Sequence, residues 1–131
     1  SELEGPAARL AAQQATAEDV RFLRRMIEDD QGLLKDPAAL SRANRRFHRQ
    51  VHLASHNRYL VQQLDLVYRS MALMATTSLS AVGRGERALT EHSAIVDAIE
   101  GRDGEAAYDA LKAHISKAFE TRLERDAERG A

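Results

Sequence analysis

The side chains best equipped for chemistry in this sequence are its five histidines; cysteine is absent. Imidazole titrates near neutrality and ligates divalent metals through either ring nitrogen, so it serves as a base, a proton relay or a metal ligand. Without thiols, disulfides are excluded and any metal needs histidine, carboxylate or amide donors. The stretch NRRFHRQVHLASHN holds three of the five, with Asn44, His48, His52 and His56 at steps of four residues. Such steps put side chains on neighbouring helical turns, as a metal ladder or as a polar face. His92 and His114 stand apart, in EHSAIVDAIE and ALKAHISKAF.

On a helical wheel with His48 at the origin, Leu40, Phe47, Val51 and Ala54 form an apolar stripe centred about 90° to one side. Asn44 lies on the margin of that stripe and His48 just outside it. His52 and His56 rotate the other way, toward Arg42, Arg45, Arg46 and Arg49, and are assigned to a solvated basic face, with His52 a reserve ligand. His92 falls in the middle of a stripe made by Leu89, Ile95, Val96 and Ile99, where an unpartnered imidazole costs about 1–3 kcal/mol. His114 is flanked by Ala107, Ala110 and Ala118, which leave space beside its ring. Three inward histidines on three helices, with one amide a turn from the first, match a bundle core in which facing helices pool ligands for one ion. Each also fits a hydrogen-bonded core histidine, and the residues alone leave both readings open.

The elements that must position these side chains read as helices throughout, because Ala, Leu, Arg and Glu dominate and only two prolines and seven glycines interrupt them. Residues 1–14 read as a first helix with Leu3, Ala7, Leu10 and Ala11 on one face. Thr16 and Asp19 form a capping-box pattern that opens a second, over about 17–34, with Val20, Leu23, Ile27 and Leu34 inward. Asp36-Pro37 is an N-cap with proline at the first position of a third helix, which runs to about Ser55, where Asn57 ends it. A fourth helix covers about Arg58–Ser78, a loop Ser80–Gly85, a fifth helix about Glu86–Glu100. After a turn at Gly101–Gly104 capped by Asp103, the last runs to about Ala127. The fold class is all-α, an antiparallel bundle of six to seven helices with no sheet.

The chain has 131 residues, room for one domain, and 19 Lys plus Arg balance 20 Asp plus Glu. Near-neutral charge gives no footprint for holding DNA unaided. No apolar run approaches the roughly 18 residues of a membrane span and no signal peptide is visible, so a cytoplasmic protein is expected.

The strings NRRFHRQVHLASHNRYL and EHSAIVDAIEGRDGEAAYDALKAHI resemble the FCD domain, the C-terminal effector-binding domain of the FadR-type branch of GntR transcription regulators. The resemblance rests on Asn44, Phe47, His48, Ala54, Ser55, Asn57, Glu91, His92, Ile95, Gly101, Asp103 and His114, and LEGPAARLAA with ATAED extends it to the N-terminus. It implies a divalent metal (Zn, Ni or Mn) held by Asn44, His48, His92 and His114, with open positions for water or the carboxylate of a small organic acid. Asn44 stands where the family more usually has aspartate; a neutral oxygen leaves the site more positive, weakening metal retention and favouring an anionic ligand. The resemblance also implies a homodimer, and a winged helix-turn-helix domain that would contact DNA; that domain is absent from this chain, which is therefore read as a fragment.

The function expected is thus a sensor, in which a carboxylate on the metal favours one arrangement of the bundle and respaces two DNA-binding domains. Arg69, Tyr68, Thr76, Thr77 and Ser78, on the fourth helix, are expected to hold the far end of the effector. Two rivals are kept. A metal-dependent enzyme needs a placed general base, and the only nearby carboxylate, Glu91, points about 100° away from His92. A metal-free dimerisation bundle would simply satisfy its buried histidines. An enzyme is not expected.

Overall fold

A computed structural model describes residues 3–72, 79 and 82–130, excluding the side chains of 70–72, 118–122, 125, 126 and 128–130. The described residues form six α-helices, α1 (Glu4–Gln14), α2 (Ala17–Asp30), α3 (Pro37–Ala54), α4 (Arg58–Ala72), α5 (Arg84–Glu100) and α6 (Gly104–Gly130), with a 3-10 turn at Gln31–Leu33. No strand occurs among the described residues.

The expected caps set most boundaries. Thr16 and Asp19 close a reciprocal capping box at the start of α2, satisfying two backbone N–H groups that the helix itself cannot. The Asp36 carboxylate accepts from Ala39 N ahead of Pro37, and Asp103 from Ala106 N. Asn57 does not end α3 but caps α4, accepting from Leu60 N at 3.0 Å. The reversal between the two falls on His56, at φ 53°, with Ser55 folded back on the His52 carbonyl. At its start α5 is longer than expected: Gly83 takes φ 72°, which glycine adopts without strain, and the helix begins at Arg84.

The core forms where α1, α2, α3, α5 and α6 meet, around Leu23, Phe47, Val51, Ile95, Ile99 and Leu111. Small residues let α1 lie close: Ala7, Ala8, Ala11 and Ala12 are fully buried, and a Cβ at Gly5 would run into the Tyr108 ring. A smaller cluster, Leu40, Leu79, Ala88 and Leu89 with Leu34 against it, closes the end of the bundle near Arg84. Each helix thus buries one stripe, and the polar residues inside those stripes are the ones that need an account.

Candidate metal centre

The three separated histidines converge. From α3, α5 and α6, His48, His92 and His114 are all buried, and one ring nitrogen from each lies within 4.8 Å of the others. The Nε2 of His114 is 3.0 Å from that of His48 and 3.3 Å from that of His92; Asn44 Oδ1, on α3, is 2.9 Å from His92 Nε2. Burial positions them: His92 stacks on Phe47 at 4.0 Å between ring centroids, and the apolar stripes of α3, α5 and α6 fix the depth of each ring.

The far sides of the rings set the protons. His114 Nδ1 is 2.6 Å from Glu91 Oε1, and Glu91 is gripped through both its oxygens by the fully buried Arg84, at 2.8 and 3.1 Å. A carboxylate accepts only, so Nδ1 carries a proton, and Nε2 is the nitrogen left to ligate. His48 Nδ1 is 3.0 Å from the Tyr68 hydroxyl. Burial first, and then the charge and hydrogen bonding of the Glu4 carboxylate, hold that phenol well above its ordinary range. Where His48 carries its proton on Nδ1 the phenol oxygen accepts it, and Nε2 is then the nitrogen that presents a lone pair toward His114. His92 is the exception: its Nδ1 is buried with no partner.

Electrostatics favour the neutral form of His48 and His92. Burial first, then the neighbouring imidazoles, push His48 down to about 3, and burial with His114, His48 and Arg84 holds His92 well below the usual histidine value. At Glu91 burial opposes ionisation, but the hydrogen bonds and charges of His114 and Arg84 outweigh it and lower its pKa.

Two Nε2 atoms 3.0 Å apart are joined either by a proton on one of them or by an ion that both ligate. Two ligands each about 2.0–2.1 Å from one ion, at angles between square and tetrahedral, are roughly 2.9–3.4 Å apart. The two measured Nε2 separations, 3.0 and 3.3 Å, fall in that range. The donor set of three imidazoles and one amide oxygen suits a borderline divalent transition ion rather than calcium or magnesium. The residues present therefore fit the metal that the resemblance implies, with Glu91 and Tyr68 as the outer partners that orient two of its ligands.

His52 departs from expectation. It is not on a solvated face but 1% exposed, with Nε2 2.9 Å from Glu4 Oε2. Glu4 arrives from the first turn of α1 and is itself 1% exposed. Burial works against its ionisation, yet the His52 hydrogen bond and charge, with His48 and Tyr68, hold its pKa below the ordinary value. His56 is exposed as expected, but beyond the helix, 2.7 Å from Asp19. Tyr68 lies on the Nδ1 side of His48, and Arg69 is exposed beside it on α4; Thr76, Thr77 and Ser78 lie outside the described residues. Sequence reasoning missed Glu4, Arg84 and the role of Glu91. Only the last carried a signal, since a carboxylate next to an inward histidine can reach a ring on the facing helix.

Among the described residues, no helix is long and apolar enough to cross a membrane. Residues 1–117 match the FCD domain family. Over 116 residues the chain is 31% identical to the galactonate operon transcriptional repressor of Escherichia coli K12, covering 87% of this chain and 50% of that protein, so it spans about half the length of this relative. In fold it is similar to E. coli McbR/YncC, with a TM-score of 0.81 at 17% identity over 95% of this chain and 64% of that one. It is also similar to a GntR protein of Streptococcus agalactiae, with a TM-score of 0.72 at 24% identity over 86% of this chain and 51% of the other. The matched relative is a transcriptional repressor, not an enzyme. The chain belongs to the FCD domain family of GntR-type transcription regulators.

Proposed function

We propose that this domain senses a small organic carboxylate at a divalent metal held by Asn44, His48, His92 and His114, and that the reading passes to a separate DNA-binding domain in a cytoplasmic homodimer. The observation that carries it is the convergence of three buried imidazoles on one point with the Asn44 oxygen beside them. A divalent ion there supplies a Lewis-acid centre with positions open to an anionic oxygen. The chain's own contribution is pre-organisation: Glu91 accepts the Nδ1 proton of His114, the Tyr68 hydroxyl pairs with His48 Nδ1, and Phe47 fixes the plane of His92. The neutral Asn44 in place of an acid leaves the centre more positive, which favours an anion as the remaining ligand.

Because the four ligands come from α3, α5 and α6, a ligand completing the shell biases how these helices sit against one another. An enzyme is disfavoured by the same geometry. The one carboxylate near the centre, Glu91, is committed to Arg84 and His114 and so is not free to act as a base on bound water.

The test is a melting series on protein loaded with Zn, Ni or Mn and on EDTA-stripped protein, with galactonate first in a panel of hydroxy acids and dicarboxylates. A carboxylate that raises the melting temperature only in the metal-loaded protein supports the sensor. A carboxylate that stabilises loaded and stripped protein equally removes the metal from the reading.

A further inference from the structure

A groove between α3 and α4 encloses a cavity of about 260 Å³, lined by Arg45, Arg49, His52, Asp65, Tyr68 and Arg69. We propose that it is a second binding site, independent of the metal, for a small molecule carrying two or more carboxylate or phosphate groups.

Its position separates it from the metal centre. His48 turns Nε2 toward His114 and Nδ1 toward Tyr68, and these two nitrogens face opposite sides of one ring. Tyr68 is a wall of the groove, so the groove lies behind His48 and away from the point on which the ligands converge. A molecule in it meets the outer partners of the centre and not the ion.

Charge selects the occupant. Three guanidinium groups and one carboxylate line the cavity. Arg45 donates to the neutral Ser41 hydroxyl at 3.2 Å, Arg49 holds Asp65 only loosely at 3.3 and 3.4 Å, and Arg69 has no ion pair among the described residues. A surplus of two positive charges therefore faces a concave space. Planar guanidinium forks match carboxylate and phosphate oxygens two at a time, and such pairs gain strength where water is partly excluded. At the floor, His52 is buried with Nε2 committed to Glu4, leaving Nδ1 as the ring nitrogen that can meet a ligand.

The size fixes the class. The cavity takes a small metabolite, and a net charge of −1 gives the chain no overall footprint for a nucleic acid. A single carboxylate would satisfy only one of the guanidiniums, so a di- or trianion is the better match.

The experiment is calorimetric titration with inorganic phosphate and with succinate, at low ionic strength, on the EDTA-stripped protein and on His92→Ala, which lacks a metal ligand. The expected result is one saturable site per chain in both, weakened at least about tenfold in Arg69→Ala and more in Arg45→Ala/Arg69→Ala. Arg69→Lys should recover part of the loss, and unchanged circular dichroism would show that these exposed positions leave the fold intact. Tighter binding of phosphate or of succinate names the ligand's acid group. Three results would overturn the proposal: no saturable binding of either anion, binding that vanishes on metal removal, or binding indifferent to the arginine variants. None depends on whether the metal-bound carboxylate exists, so this site and the sensor reading stand or fall separately.

Discussion

His48 and His52 are successive turns of one helix, both buried, and they have opposite needs. His52 meets a carboxylate, Glu4, at 2.9 Å, an acceptor that the fold supplies. His48 meets not an acid but another imidazole nitrogen, at 3.0 Å, with a third imidazole beside them. Burial alone therefore does not mark a ligand; the partner does. A histidine facing an acid has its partner from the fold, whereas one facing further imidazoles is placed to share an ion with them.

The contrast can be broken from either side. Glu4→Ala leaves His52 buried without its carboxylate, and opening a buried pair from one side costs about 3–5 kcal/mol, so it should give the largest loss in unfolding free energy. Urea unfolding should show that loss, with metal stoichiometry unchanged in the protein that remains folded. A cost below about 1 kcal/mol would mean that the pair is not the closed unit described here.

On the other side, Glu91→Gln removes the anion that fixes the His114 tautomer while keeping the shape of the side chain. Losing such an outer partner typically costs 10–100-fold in metal affinity, and competition with a chelating dye should show a loss of that order. Its fold should survive, since Glu91 is only partly buried.

Acid should separate the metal-free protein from the loaded one. His48 and His92 have folded pKa values depressed below 6.5, so the unfolded chain takes up their protons first. Their contribution to stability is present above that value and declines as pH falls from about 6.5 toward about 3. Glu4 and Glu91, also depressed, contribute stability that is present above about 4.5 and is lost as pH drops further. Stripped protein should therefore lose melting temperature steadily below pH 6.5. Loaded protein should hold its melting temperature to lower pH and then fall steeply as protons displace the ion.

Tyr68→Phe should have the smallest effect. It removes a neutral hydrogen bond to His48 Nδ1, so metal affinity should fall less than tenfold and less than in Glu91→Gln. The reverse order would mean that the phenol, not the carboxylate, governs the centre.

Much of this was legible in the sequence, and what was not has a common cause. Thr16, Asp36 and Asp103 announce their helices because capping is local chemistry. The inward histidines of α5 and α6 followed from apolar periodicity, which is a property of one helix. The wheel puts His52 on the solvated side because its angle lies roughly 130° from the centre of the α3 stripe, toward the arginines. What buries it is the approach of α1 with Glu4, 48 residues away in sequence. Arg84 stood between Gly83 and Gly85 and so read as loop; only the structure puts it in the first turn of α5, pinned to Glu91. Glu91 was measured against its neighbour His92 when its partner is His114, on the next helix. Contacts within a helix can be read from spacing, while contacts between helices require knowing which faces meet.

The most direct measurement is equilibrium dialysis of EDTA-stripped protein against Zn, Ni and Mn in turn, followed by elemental analysis, with His92→Ala in parallel. The account predicts about one ion per chain in the wild type for at least one of these metals, and none retained by the variant. A stripped wild type that stays folded by circular dichroism and takes up none of the three would contradict it.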